Sequence, residues 1–232
     1  MKKNRITTAL LAVAISFSFG FIQQEEDKTP IALIKKIVKE VSYKQIDAED
    51  WAKAKTGVPL KNGEQVKTGF KSLALVIFTD GTGLLRVREN STMYIYGKRD
   101  GEQLNKNTFI QKGLIGFDVN KQEVEEFKFT TPTAVAAIRG TAGYVEVGND
   151  SSTTIVCDHG KIEVESLVGE KGKAFVEGGE ALSIQKDGQI LKGIISTEQK
   201  SKFNKSKKTK LKKLLIETEE GTIELEFYPK ED

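Results

Sequence analysis

Leu73-Ala74-Leu75-Val76-Ile77-Phe78-Thr79-Asp80-Gly81-Thr82-Gly83-Leu84-Leu85-Arg86-Val87 reads as two strands joined by a tight turn. Branched and aromatic side chains favour extended backbone over 73–78 and again over 84–87. Between them, Asp80-Gly81 supplies the backbone freedom a short hairpin needs. Thr92-Met93-Tyr94-Ile95-Tyr96 makes a third strand ahead of the polar turn Lys98-Arg99-Asp100-Gly101, so the three form a meander. Working outward, runs of the same kind recur at 108–111, 114–119, 125–130, 143–147, 153–157, 161–166, 173–176 and 181–185. Several restart after a glycine, at Gly81, Gly113, Gly140, Gly160 and Gly221. Those intervals are unequal, which disfavours a regular solenoid. The expectation is an all-β chain folded as a sandwich or an irregular, twisted β-roll. One stretch is two-sided: Ile34, Ile37, Val38 and Val41 fit the spacing of an amphipathic helix, while their β-branched content favours a strand.

The ends differ from this body. Met1-Lys2-Lys3-Asn4-Arg5 precedes an apolar run to Phe21, the pattern of an export signal with its small residues, Ser18 and Gly20, at the cleavage position. The run is short for a membrane span, and an uncleaved signal anchor is the other reading. The 232-residue chain carries a formal charge of +3, and loss of residues 1–20 removes Lys2, Lys3 and Arg5 and brings it to neutrality. Within that balance, 200–213 holds eight lysines and no acid, whereas 214–232 holds seven acids against Lys230. The remaining body is weakly acidic, which speaks against nucleic acid as a partner. The expected organisation is a signal peptide (1–20), a flexible segment (21–33), a β domain (34–192), a Lys-rich linker (193–213) and a C-terminal β-hairpin (214–232). No transmembrane segment is expected in the mature chain.

Three stretches together resemble the FecR domain, a periplasmic module of iron-citrate signalling regulators. The first runs from Trp51 through Val66-Lys67-Thr68-Gly69 to Phe78-Thr79-Asp80-Gly81-Thr82. The second is Phe129-Thr130-Thr131-Pro132-Thr133-Ala134-Val135-Ala136-Ala137-Ile138-Arg139-Gly140-Thr141, and the third is His159-Gly160-Lys161-Ile162-Glu163-Val164 followed by Gly178-Gly179-Glu180. The resemblance also favours the strand reading of Ile34–Val41, and it implies an interaction or signal-sensing module of the bacterial envelope with envelope proteins as partners. In the best-known members an anti-sigma segment and a membrane helix precede the domain. Here the signal-like segment stands in their place, so direct control of a sigma factor is not expected.

In physical terms the motif residues Thr68, Gly69, Asp80, Gly81, Thr131, Pro132, Arg139, Gly140, Thr141 and Gly160 are expected to shape turns. Pro132 lacks a donor and can open an edge strand. Gly140 permits a corner, and Arg139 can hold carbonyls or a carboxylate such as Asp80 or Asp158; reception of an anionic ligand is the alternative for Arg139.

Catalysis and metals find little support in the sequence. One cysteine, Cys157, and one histidine, His159, exclude an intrachain disulfide and fall short of the three or four converging ligands of a Cys/His zinc site. Cys157-Asp158-His159 reads as a small buried cysteine followed by a polar turn, because adjacent side chains on a strand end give poor geometry for a thiol–imidazole pair. Trp51 reads as core, with sugar stacking as the alternative. No cofactor is expected. Lys205, Lys207, Lys208, Lys210, Lys212 and Lys213 form either a solvated linker or a cationic patch for an anionic lipid or wall polymer. Residues 214–229 look like the first hairpin of cyclophilin-type prolyl isomerases, a likeness too short to carry any catalytic residue. The leading functional expectation is a non-catalytic exported interaction module, and the alternative is a binder of cell-wall glycan or anionic polymer.

Overall fold

The computed structural model describes residues 29–207, except 102 and 122–125, and the backbone of 212–218 and 221–227. The expected export signal and Lys208 and Lys210 lie outside these residues. The chain enters on β1 (Ala32–Val38), β2 (Val41–Lys44), β3 (Ala52–Lys53) and β4 (Pro59–Leu60), then continues as β5 (Gln65–Thr68), β6 (Leu73–Phe78), β7 (Gly83–Val87), β8 (Thr92–Asp100) and β9 (Gln103–Val119). There follow β10 (Phe127–Thr130), β11 (Ala134–Ile138), β12 (Thr141–Val147), β13 (Thr153–His159), β14 (Lys161–Ser166), β15 (Lys173–Glu177), β16 (Glu180–Ile184) and β17 (Ile190–Ile194). A helix, α1 (Thr197–Lys207), and the hairpin β18 (Lys212–Thr218) and β19 (Gly221–Phe227) complete the chain.

The strands form two layers. The first sheet runs β4-β1-β6-β7-β9-β12-β13-β16-β17. The second runs β3-β2-β5-β8-β9-β10-β11-β14-β15, and its β9–β10 pair is the parallel one. After β9 the chain alternates layers hairpin by hairpin, which is the twisted roll the strand spacing predicts.

β9 belongs to both layers. Its first half, Gln103 to Ile110, lies between β8 and β10, and its second half, Gly113 to Val119, lies between β7 and β12. The corner is Gly113, at φ +94°, where a Cβ would stand 2.6 Å from the Ser91 Cα. Only glycine combines that backbone with so close a neighbour. Leu104, Lys106, Thr108 and Ile110 are buried before the corner, and Ile115, Phe117 and Val119 after it. The buried set thus moves from even to odd positions within one strand. The two short runs expected at 108–111 and 114–119 are parts of this single bent strand.

A bulge also resolves the two-sided stretch. β1 pairs Ile34 with Val76 but Ile37 with Ala74, with a register shift between Ile34 and Lys36. The extra residue puts Ile34 and Ile37 on one face, which is why a strand shows the three-residue spacing of a helix. The core lies between the layers, with Val76, Phe78, Leu85, Ile115 and Phe117 from one sheet meeting Met93, Ile95, Phe127, Phe129 and Ile162 from the other.

The Lys-rich segment departs from an extended linker, since residues 197–207 are helical. The Ser196 amide donates to Gln199 Oε1 (2.9 Å), and the Gln199 amide donates to Ser196 Oγ (3.2 Å). This reciprocal cap satisfies two of the amides that a helix start leaves orphaned. Glu198 in the first turn and Lys205 and Lys207 in the last match the helix dipole. Phe203 anchors α1 on the outer face of the first sheet, against Tyr144, Val156 and Ala181. Gly116 makes room beside it, because a Cβ there would meet Ser206 Oγ at 2.9 Å.

Candidate interaction surfaces

The motif residues sit at the joints of the roll. The Thr68 hydroxyl, buried, donates to the Arg88 carbonyl and accepts from the Ser91 amide (3.1 Å), and at Gly69 a Cβ would lie 2.7 Å from Glu40 Oε2. Asp80 accepts from the Thr82 amide (3.1 Å) and hydroxyl (2.8 Å), and Gly81 follows at φ +73°. The other Asp80 oxygen holds the buried Lys106 ammonium, so the β6–β7 turn is tied to the first half of β9 across the layers. Thr131, Thr133 and Thr153 form a buried hydroxyl cluster: Thr133 Oγ1 donates to Thr153 Oγ1 (2.6 Å), which donates to Thr131 Oγ1 (2.8 Å), which accepts the Ala134 amide (2.9 Å). Pro132 is exposed in the turn before β11, and β11 is an interior strand between β10 and β14. Pro132 therefore bends the chain rather than opening an edge. Arg139 is exposed beside Gly140, at φ +64°. Gly160 lets the chain pass against Thr141, whose Cγ2 would be 2.4 Å from a Cβ there.

Cys157 is fully buried and donates to the His159 carbonyl (3.3 Å), while the side chains of Asp158 and His159 are exposed. Burial, and then the charges of Asp158, Glu180 and Glu177, push the thiol up to about 11. It carries its proton at neutral pH, the opposite of a nucleophilic cysteine. Among the described residues no three or more His, Cys, Asp or Glu side chains converge as a metal site.

A groove of about 1220 Å³ has walls from the 45–48 loop, the 61–64 turn and β8, β9 and β10. Tyr96, Lys98, Asn105, Asn107 and Lys128 line it. Sequence reasoning does not single out these residues. Their signal is the alternation of Tyr94, Tyr96 and Lys98 opposite Phe109, Asn107 and Asn105, which becomes legible once the β8–β9 register is known.

Residues 64–163 match the family model described as FecR protein. The chain carries a FecR domain. The match spans fewer than half of the 232 residues, and both sheets continue beyond it on either side. Two crystal structures of a Parabacteroides distasonis protein described as a candidate anti-sigma factor share the fold, with a TM-score of 0.51 at 16% identity. Each covers 59% of this chain and 62% of that one, so less than two thirds of the relative's length is matched. At that identity the likeness is one of fold. No curated protein matches the chain in sequence.

The two sheets end in edges of different character. β15 carries Lys173 and Glu177, paired across to Glu163 (2.7 Å) and Lys161 (3.4 Å), the charged finish that blunts strand addition. β17 is exposed at all five positions, with Ile190, Leu191 and Ile194 at 38, 52 and 88% exposure. Among the described residues it pairs with β16 alone. Trp51, expected in the core, is 37% exposed, with the Lys67 ammonium 5.5 Å from its ring centre. β3 is too short and too peripheral to carry it inward.

Three described lysines of the 200–213 run have partners within the chain. Lys202 meets Glu146 (3.0 Å), Lys205 meets Glu89 (3.6 Å), and Lys207 meets Asp158 (3.6 Å) and lies 4.0 Å from the centre of the Phe203 ring. They hold α1 to the sheet, each by a surface pair worth up to about 1 kcal/mol. Lys212 and Lys213 lie on β18, in register with Phe227 and Glu226.

Proposed function

We propose that this chain is an exported FecR-domain protein that works without catalysis, as a signal-sensing or interaction module of a bacterial envelope, by binding an envelope protein. The observation that carries the reading is β17, an apolar edge strand whose outer backbone groups have no strand partner among the described residues. Such an edge is a template for an extended segment of another chain, with main-chain hydrogen bonds for affinity and alternate side chains for specificity. The FecR-domain match and the fold shared with a candidate anti-sigma factor support a regulatory setting, and the pattern over Met1 to Phe21 supports export.

The test is crosslinking in the native cells with a photo-reactive residue in place of Ile194, followed by mass spectrometry. The expected result is one discrete envelope protein, lost when Lys192→Pro removes an amide on the outer side of β17, since the amides of 193 and 195 face β16. Capture of nothing, or of the same material from a site on the opposite end of the domain, would overturn the proposal.

A further inference from the structure

The outer faces of the two sheets differ. α1 covers much of the first with Phe203, whereas the second leaves an aromatic strip in the open. Tyr94 and Tyr96 stack with ring centres 6.5 Å apart and planes within 3°, and Phe109 packs edge-on against Tyr94 at 5.5 Å. Tyr96 is 37% exposed and reaches the groove. Its neighbours there are donors. The Asn62 carbonyl oxygen accepts the Gly97 amide (3.1 Å), that of Asn105 accepts the Glu126 amide (2.9 Å), and that of Asn107 accepts the Thr130 hydroxyl (2.9 Å). Each oxygen is thus engaged, and each asparagine, lining the groove, keeps an NH2 group with no hydrogen bond among the described residues. Lys61 and Lys98, which also line it, have no ion pair among the described residues, while the Lys128 charge is met by Glu126 (2.6 Å); against these two ammonium groups stands one lining carboxylate, Asp47.

We propose that this groove binds a carboxylate-bearing polysaccharide. A stacked tyrosine pair suits the C–H face of a pyranose ring. Three lining amide donors suit hydroxyl and ring oxygens, and two ammonium groups without an ion pair suit a carboxylate. An extended peptide would instead need acceptors for its amides, and of the three acids lining the groove Glu64 already accepts the Lys61 amide (3.0 Å) and Glu126 meets Lys128 (2.6 Å), leaving Asp47. The site is independent of β17, so glycan capture on one face and protein docking on the other edge can occur together.

Titration calorimetry of the full chain with hexagalacturonate and with neutral chitohexaose tests the proposal. Hexagalacturonate is expected to bind, and to bind more weakly at high salt because its charge is part of the recognition. Tyr96→Ala should weaken it about tenfold, equivalent to about 1.4 kcal/mol, and Tyr96→Phe should restore most of the loss. Asn107→Asp, which keeps an acceptor for Thr130 but replaces the donor with a carboxylate, should abolish binding, and Phe175→Ala, at the far side of the same sheet, should leave it unchanged. The circular dichroism of each variant separates misfolding from loss of the site. Absence of binding by either sugar, equal binding of both, or an equal loss in Phe175→Ala would overturn the proposal, as would a photo-reactive residue in place of Tyr96 that captures protein and no sugar.

Discussion

The Lys106–Asp80 pair should dominate the response of the fold to a single charge change. The Lys106 side chain is wholly buried and that of Asp80 is 12% exposed, so removal of the carboxylate leaves an ammonium facing an uncharged amide inside the roll. Breaking such a pair from one side costs about 3–5 kcal/mol. For a chain of this size that is a fall in Tm of roughly 6–20 °C, at about 2–4 °C per kcal/mol. Asp80→Asn is the informative variant, because Asn can still accept from the Thr82 amide and hydroxyl and the turn itself persists. Adding Lys106→Met to Asp80→Asn should recover most of the stability, since an apolar replacement of similar length needs no counter-charge. Urea and thermal unfolding followed by circular dichroism measure both steps. A loss under about 1 kcal/mol in Asp80→Asn, or a double variant weaker than the single, would refute the view that this pair joins the layers by charge.

Two further outcomes follow from the outer face of the first sheet. Phe203→Ala should release α1 while leaving the sheets folded, because an 11-residue helix is marginal without packing. Hydrogen exchange should then show amides 200–206 unprotected and β12 and β13 unchanged, and a global loss of protection would contradict it. Raising the pH should weaken the fold: the Cys157 thiol is held up near 11, and burial, followed by Glu146 and Glu198, raises Tyr144. Below the ordinary thiol value both the folded and unfolded chains keep the Cys157 proton and its contribution is complete. Between about pH 8.5 and about pH 11 the unfolded chain loses that proton and the folded chain keeps it, so stability declines. The urea midpoint should fall across this window, and less steeply in Cys157→Ala; equal slopes would count against the buried thiol.

Much of this fold is legible from the residues. The hairpin of β6 and β7 stands where Asp80-Gly81 places it, and Cys157 is the small buried residue its neighbours imply. What escapes is what depends on partners distant in the chain. β9 reads as two strands because its buried positions change parity across Gly113, and parity carries meaning only with β8 and β7 alongside. β1 imitates a helix because one bulged residue shifts its faces. α1 is hidden by its lysines, although Ser196-Thr197-Glu198-Gln199 is a helix-start pattern that periodicity in the single anchor Phe203 could not reinforce. Trp51 inverts a sound rule, because a large ring is buried only if its strand reaches the centre. The groove depends on three asparagine carbonyls being occupied from elsewhere, and no spacing along the chain records that.

One strand shared by two layers also makes errors of alignment expensive. A slip of β9 by a single residue would turn Leu104, Thr108 and Ile110 out of one layer and Ile115, Phe117 and Val119 out of the other in the same movement, since side chains alternate with a period of two. A mispairing in an ordinary sandwich is penalised in one sheet; here it is penalised in both, and the glycine at the corner admits one position only. The roll thereby proofreads itself through β9.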